Sequence, residues 1–277
     1  MNIWVGTSGY SYPDWVGPFY PEGTPSQRML AYYTQRFPLV ELNFTFYRPP
    51  TPRMLARMAD QVPVGFQFIV KVPRSISHEE RRDDLPTLRE AVEQMHQRGC
   101  LKGLLCQLPQ SHHNDRPHRN WLDRIGDELR DYHLAVEFRH HSWAAPDIPS
   151  WLAERGIDLV SVDVPAVPQL YPSGLVQSTD RVYVRLHSRI AGNWYLSDKE
   201  RYDYNYDDAA LGEWVGRVMG SEGRTREAFV LFNNCHHGHA PKNARRIMSL
   251  FQSASGQVMA PFTPAQRGLF DGIDGST

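Results

Sequence analysis

The chain has 277 residues, 41% of them hydrophobic and 12% aromatic, which is enough to bury one large core at the usual length of a (β/α)8 domain. Thirty basic residues against thirty-one acidic ones leave no net field to draw the chain onto nucleic acid or an anionic bilayer, and Cys100, Cys106 and Cys235 have neither the number nor the spacing of a disulfide framework or zinc finger. The opening MNIWVGTSGYSY lacks the basic region and apolar run of a signal peptide, and no stretch reaches the ~18 apolar residues of a membrane span, so a cytoplasmic protein is expected.

In chain order, short β-branched and aromatic runs predict strands at Ile3–Ser8, Leu39–Asn43, Phe66–Val72, Leu101–Leu108, Leu134–Arg139, Asp158–Asp163, Arg181–His187 and Ala228–Asn233. Most are followed by apolar residues at helical spacing, such as Leu88, Val92 and Met95, then Leu122, Ile125 and Leu129, then Leu211, Trp214, Val215 and Val218. Thr51 before Pro52, Asp84 before Pro86 and Asp115 before Pro117 read as helix starts. Alternating strands and helices require parallel crossovers, and eight such units close most economically into a single TIM barrel over residues 1–277. An open doubly wound sheet is the alternative. Val164–Asp180, rich in Pro and without helical periodicity, predicts an irregular excursion after the sixth strand.

In a barrel, one face of each strand packs on helices and the other points inward, meeting the mouth at the C-terminal end. If the aliphatic set of each strand faces out, the inward set ends in Gly6 and Ser8, Glu41 and Asn43, Lys71, Gln107, Glu137 and Arg139, Asp163, Arg185 and His187, and Asn233. Every strand then finishes on a polar or small inward residue. Charged groups are seldom buried without partners, so the ring reads as a ligand-binding mouth. The competing reading is structural: Glu41, Glu137 and Asp163 balance Lys71, Arg139 and Arg185, so a neutral ion-pair network would simply close the barrel top.

At these same residues the sequence resembles the DUF72, or YecE-like, family. The matching segments are Gly6-Thr7-Ser8-Gly9-Tyr10 with Trp15, Phe19, Tyr20 and Pro21; Glu41 through Tyr47; Lys71 with Ser77-His78; Gln107-Leu108-Pro109; Glu137-Phe138-Arg139-His140 with Ser142-Trp143; Arg185-Leu186-His187 with Trp194-Tyr195; and Phe232-Asn233-Asn234 with Ala240, Asn243 and Ala244. The resemblance implies a TIM barrel and assigns no function. One departure is local: members often carry Gly after the His of the seventh strand, where this chain has Ser188.

Glu41, Lys71, Glu137, Asp163 and His187 are the candidate catalytic residues, with carboxylates as general acid and base and His187 as a proton shuttle near neutral pH. Lys71 is expected to pair with a carboxylate rather than act as a Schiff-base lysine. Arg139 and Arg185 can fork onto a carboxylate or phosphate, and Ser8, Asn43, Tyr47, Gln107, Trp194, Asn233 and Asn234 complete a candidate ligand-binding set. The Asn233–His239 turn leads into a helix whose free N–H groups can hold an anion. The many early aromatics, Tyr10, Tyr12, Trp15, Phe19, Tyr20, Phe44, Phe46 and Tyr47, read mainly as loop packing.

No GxGxxG or Walker sequence is present, and the sequence identifies no cofactor. A metal at Glu41, Glu137, Asp163 and His187 is opposed by the interspersed cations, and His236, His237 and His239 form a second, weaker candidate. Three functions remain. The favoured one is a hydrolase or lyase acting on a small anionic or sugar-like ligand at the mouth. The others are a metal-dependent, endonuclease-like barrel using basic loop clusters at Arg81-Arg82, Arg116/His118/Arg119 and Arg245-Arg246, and a non-catalytic metabolite-binding protein that keeps only the cationic clamp. A nucleic-acid partner is the less favoured reading, no membrane partner is expected, and the sequence carries no oligomeric state.

Overall fold

The aliphatic runs zip into eight parallel strands that close in sequence order, β1 bonding to both β2 and β8, in a computed structural model that describes residues 1–255. The strands are β1 (Asn2–Ser8), β2 (Leu39–Leu42), β3 (Gln67–Lys71), β4 (Leu101–Gln107), β5 (Leu134–Glu137), β6 (Asp158–Asp163), β7 (Arg181–Leu186) and β8 (Glu227–Phe232). The fold is therefore the (β/α)8 barrel, and the open sheet is excluded.

Between the strands run α1 (Ser26–Tyr33), α2 (Phe44–Tyr47), α3 (Pro52–Asp60), α4 (Arg74–Ser77), α5 (Leu85–His96), α6 (Arg116–Leu129), α7 (Ile148–Ala153), α8 (Asp198–Arg201), α9 (Asp208–Met219) and α10 (His239–Ser255). Thr51 caps α3 by accepting from Met54 N, and Asp115 caps α6 by accepting from His118 N, as Ser/Thr/Asp residues before a helical Pro should. Asp84 makes no such bond. A 3-10 turn, Arg82–Asp84, runs directly into α5 and holds Asp84 in helical backbone, where it cannot serve as a cap. No helix among the described residues is long and apolar enough to cross a membrane.

Ladder register decides which side chains point inward, because paired residues of parallel strands project to the same side. Ser8 pairs with Glu41, Lys71 with Leu105, and Gln107 with Glu137, while Tyr183 and Arg185 of β7 pair with Phe229 and Leu231 of β8. All of these face the barrel interior, which is filled lower down by Trp4, Leu39, Ile69, Leu105, Ala135, Phe229 and Leu231. Gly6 cannot be replaced without displacement, since a Cβ there would lie 2.1 Å from the Leu39 carbonyl oxygen.

β6 has the opposite phase to the one its sequence suggests. Val160 pairs with Tyr183 and Val162 with Arg185, so the valines point inward, whereas Asp163 pairs with the outward Leu186. The cause is the Val164–Asp180 excursion. β5 and β6 pair only at Ala135–Asp158 and Val136–Leu159, and the excursion fills the seam above, with Tyr171 N donating to Arg139 O and Gly174 N to Val162 O. Its polar groups satisfy the outer face of β6: Ser161 Oγ bonds both the N–H and the carbonyl of Val176, and Ser173 Oγ donates to Asp163. A strand covered by loop rather than by helix can carry Ser and Asp outward without leaving them unpaired.

Candidate functional site

The barrel mouth is organised by one guanidinium. Arg185, on β7 and wholly buried, donates from Nε (2.9 Å) and Nη2 (2.7 Å) to the two oxygens of Glu41, and from Nη1 to Glu137 Oε2. The Tyr183 hydroxyl adds a 2.6 Å bond to Glu41, and Ser8 Oγ lies 3.4 Å from Arg185 Nη2. Both glutamates are fully buried. Burial pushes the Glu137 carboxyl up, but Arg139 and Arg185 outweigh it and hold it well below the usual carboxylate range. Burial alone would lower Arg185, yet Glu137 and Glu41 raise it further above its ordinary value. Tyr183 stays a neutral donor because burial, then the Glu41 charge, pushes its hydroxyl well up.

Above this floor sits a directed chain of polar groups. Asn43 Nδ2 donates to Asn233 Oδ1 (3.3 Å), and Asn233 Nδ2 lies 2.9 Å from His187 Nδ1. An amide whose oxygen is already accepting presents its N–H to the ring, so Nδ1 accepts and the imidazole proton belongs on Nε2. Nε2 is 3.6 Å from Glu137 Oε1, too far for a hydrogen bond, and is buried without one. Arg139 Nε lies 2.6 Å from the same Glu137 oxygen, and its guanidinium is 5.6 Å from the centre of the Trp194 ring, which also meets His187 edge-on.

Burial, reinforced by Arg139 against the pull of Glu137, brings His187 down to about 3. It is a neutral hydrogen-bonding group, and the shuttle near neutral pH expected from the sequence does not survive its desolvation. Replacing Asn233 by Asp puts an acceptor where the amide N–H was. In Asn233→Asp the His187 titration is expected to move upward by at least one pH unit, and histidine NMR titration in wild type and variant checks it; an unchanged titration would show that Asn233 does not set the tautomer.

Lys71 ends β3 half-buried. Its ammonium reaches Gln107 Oε1 at 3.2 Å and sits 4.4 Å over the Phe46 ring, and among the described residues it has no ion-pair partner. The carboxylate pairing expected for it is not made. Burial, together with Arg185 nearby, lowers it to about 8.

Asp163 is not part of this centre. Its outward carboxylate accepts from Arg189 Nε (2.9 Å), and Arg189 continues to Glu213 on α9 (2.9 Å), so the group ties β6 to the outer layer. The remaining predicted residues serve the periphery. Asn234 Nδ2 bonds Tyr204 O and Asn243 Oδ1, fixing loops, while Tyr47 is 76% exposed beside Phe46 and Trp194 is buried over the mouth. The early aromatics pack as expected: Trp15 Nε1 donates to Cys235 O and Tyr20 to Tyr10 O.

Glu41, Glu137, Asp163 and His187 do not converge as metal ligands, because the glutamates are spent on Arg185 and Asp163 points away. His237 and His239 both face Asp203. In the turn before α10, His237 N donates to Asp14 Oδ2 at 2.7 Å, so a carboxylate of the protein already takes an N–H that an anion would use. Of the basic loop clusters, Arg81, Arg82, Arg119 and Arg246 are directed at Asp84, Glu128, Asp147 and Asp208. Ser188 has no positive φ, so the loop after β7 does not need glycine there.

Sequence reasoning gives Tyr183 no role and reads Phe46 only as loop packing. Tyr183 shares the parity of Arg185 and was there to be found; the contact of Phe46 with Lys71 depends on how α2 folds back over β3.

Closed parallel topology with a polar centre at the carboxyl ends of the strands places the chain among the (β/α)8 barrels. Within that class it belongs to the family described as protein of unknown function DUF72, whose model matches residues 4–267. It is similar to UPF0759 protein YunF of Bacillus subtilis (25% identity over 90% of this chain and 94% of that one) and to UPF0759 protein YecE of Escherichia coli K12 (30% over 58% and 59%). Among solved structures, a DUF72 family protein of Thermotoga maritima aligns with a TM-score of 0.84 at 34% identity, covering 93% of this chain and all of that one. A DUF72 family protein of Enterococcus faecalis, at 24% identity and a TM-score of 0.81 over 90% and 95%, shares the fold.

Proposed function

We propose that the barrel mouth binds a small anionic ligand bearing a carboxylate or phosphate and acts on it as a hydrolase or lyase, with Lys71 as the titrating acid or base. The observation that carries this reading is the charge left over when β6 turns Asp163 outward. At the mouth, apart from the Asp158, Arg181 and Glu227 ion pairs at the opposite end of the barrel, the inward groups then comprise three cations, Lys71, Arg139 and Arg185, against two carboxylates, Glu41 and Glu137. A neutral network closing the barrel would need the third carboxylate.

Lys71 and Arg139 are the cations nearest the opening, and the neutral His187 offers a buried N–H without an acceptor. A lysine that loses its proton near pH 8 can accept one from a substrate close to neutrality, as Glu137, held ionised in the grip of Arg139 and Arg185, cannot. That same grip favours a metabolite-binding protein without chemistry as the second reading.

A thermal-shift screen of small carboxylic acids and phosphorylated sugars separates the readings. Anions are expected to raise the melting temperature of wild type and not that of Lys71→Met, with uncharged analogues inert. Stabilisation of Lys71→Met equal to wild type would refute the site, and hits that bind without turning over would leave the binder.

A further inference from the structure

On the loops that follow β3 and β4, at the same end of the barrel as the mouth, Glu80, His112 and His118 turn one donor atom each toward a common point. The three atoms lie within 4.8 Å of one another. His112 Nε2 is 3.5 Å and His118 Nε2 3.9 Å from Glu80 Oε1. Four-coordinate zinc with bonds of about 2.0–2.1 Å holds its donors roughly 3.3–3.4 Å apart; the two Glu80 pairs, at 3.5 and 3.9 Å, are near that spacing, and the third pair, within 4.8 Å, has to close by up to about 1.4 Å onto an ion. We propose that Glu80, His112 and His118 form a site for a divalent transition metal of the zinc type, distinct from the Arg185 centre.

Three independent features support the site. First, His112 is 9% exposed, and both His112 Nε2 and Glu80 Oε1 are buried without a hydrogen-bond partner, which is costly unless something else occupies the gap between them. Second, the histidines are presented as ligands. His118 Nδ1 lies 2.7 Å from Asp115 Oδ1, the carboxylate behind the imidazole that fixes a ligand's tautomer and leaves Nε2 to the metal. His112 is held from its backbone, whose carbonyl accepts from the buried Trp143 Nε1 at 2.8 Å, with Ser111 Oγ near Nδ1. Third, the ring centres are 4.3 Å apart, so the two imidazoles share one opening.

Two histidines and one carboxylate leave a fourth position for water or a ligand atom. The placement also gives the loops a reason to stay together: Glu80 follows α4, His112 precedes α6, and His118 lies in its first turn. His78, two residues before Glu80, packs on Phe46, which in turn lies beneath Lys71, so the proposed ion sits on the rim of the mouth.

The test is titration of untagged, chelator-treated full chain with Zn2+ by calorimetry and with Co2+ by visible absorption. Wild type is expected to take one equivalent with a low-symmetry Co2+ spectrum, and Zn2+ should raise its melting temperature. Glu80→Gln and the His112→Gln/His118→Gln pair should lose the equivalent, and His237→Gln/His239→Gln should retain it. Asp115→Asn keeps a residue able to cap α6 but loses the negative charge behind His118, and should weaken affinity roughly 10–100-fold. Absence of binding to wild type overturns the site, as does binding that survives in Glu80→Gln and the His112/His118 pair or that disappears in the His237/His239 control. Glu80→Gln changes a partly exposed loop side chain, so its result stands even where the double variant folds poorly.

Discussion

Replacing Arg185 by Met is expected to lower the melting temperature by roughly 10 °C or more. Arg185 is the shared partner of two fully buried carboxylates, and removing one member of a buried ion pair typically costs about 3–5 kcal/mol because the other charge is left without compensation. For a domain of this size, 1 kcal/mol moves the melting temperature by about 2–4 °C. Met fills much of the arginine stem's volume, so the loss reflects the charges rather than a cavity. The signature is the rescue: Glu41→Gln/Arg185→Met should recover much of the drop, since the amide at position 41 needs no cation and Glu137 keeps Arg139. The pH dependence should move with it. The Glu137 pKa is depressed in the folded protein, so its contribution to stability is present above the unfolded carboxyl's pKa and is lost as pH falls toward the folded one. In Arg185→Met that acid-side loss should shrink. Melting curves of the three proteins from pH 3 to pH 7 decide the matter, and an Arg185→Met protein as stable as wild type would show that the triad holds nothing together.

The triad was legible from the chain because its members obey a rule that most of the strands respect. In Leu134–Glu137, as in Arg181–Leu186, the outward set is aliphatic and the inward set ends in charge, so alternation alone aims Glu137 and Arg185 at one another. Asp158–Asp163 breaks the rule. With both faces buried, Val160 and Val162 fit the interior as well as a helix-covered exterior, and the face is decided by a loop whose Ser173 and Val176 supply partners to Asp163 and Ser161. Nothing within the strand announces that. The Glu80–His112–His118 cluster escapes for another reason: Glu80 and His112 lie on loops thirty-two residues apart in sequence, and His118, in the first turn of α6, sits between Arg116 and Arg119 and reads with them as basic surface. Arg119 in fact turns to Asn114 and Asp147, leaving the imidazole to face the other way.

The phase of β6 has a measurable result, because turning Asp163 outward takes from the mouth the charge that would have neutralised Lys71. Anion affinity at the mouth should be flat from pH 6 to about 8, then weaken by up to tenfold per pH unit until the pKa of the bound state is passed. Lys71 is the group that titrates there: burial and Arg185 bring it to about 8, while His187 at about 3 and His78 at about 4 stay neutral throughout, and Glu137 stays ionised. A bound carboxylate raises the lysine's pKa, so by linkage the unprotonated protein binds it less tightly. Without ligand the same shift has a second consequence. Because the folded pKa of Lys71 lies below its ordinary 10.5, the unfolded chain holds the proton longer, and stability should rise as pH climbs from about 8 toward 10.5. In Lys71→Met both effects should vanish together. Calorimetric titration with whichever carboxylic acid the thermal-shift screen identifies, at half-unit steps from pH 6 to pH 10, tests the first, and denaturant unfolding over the same range tests the second. An affinity that holds constant through pH 10 in wild type would mean that the anion sits elsewhere, since no contact with a lysine deprotonating near pH 8 can be indifferent to the loss of its charge.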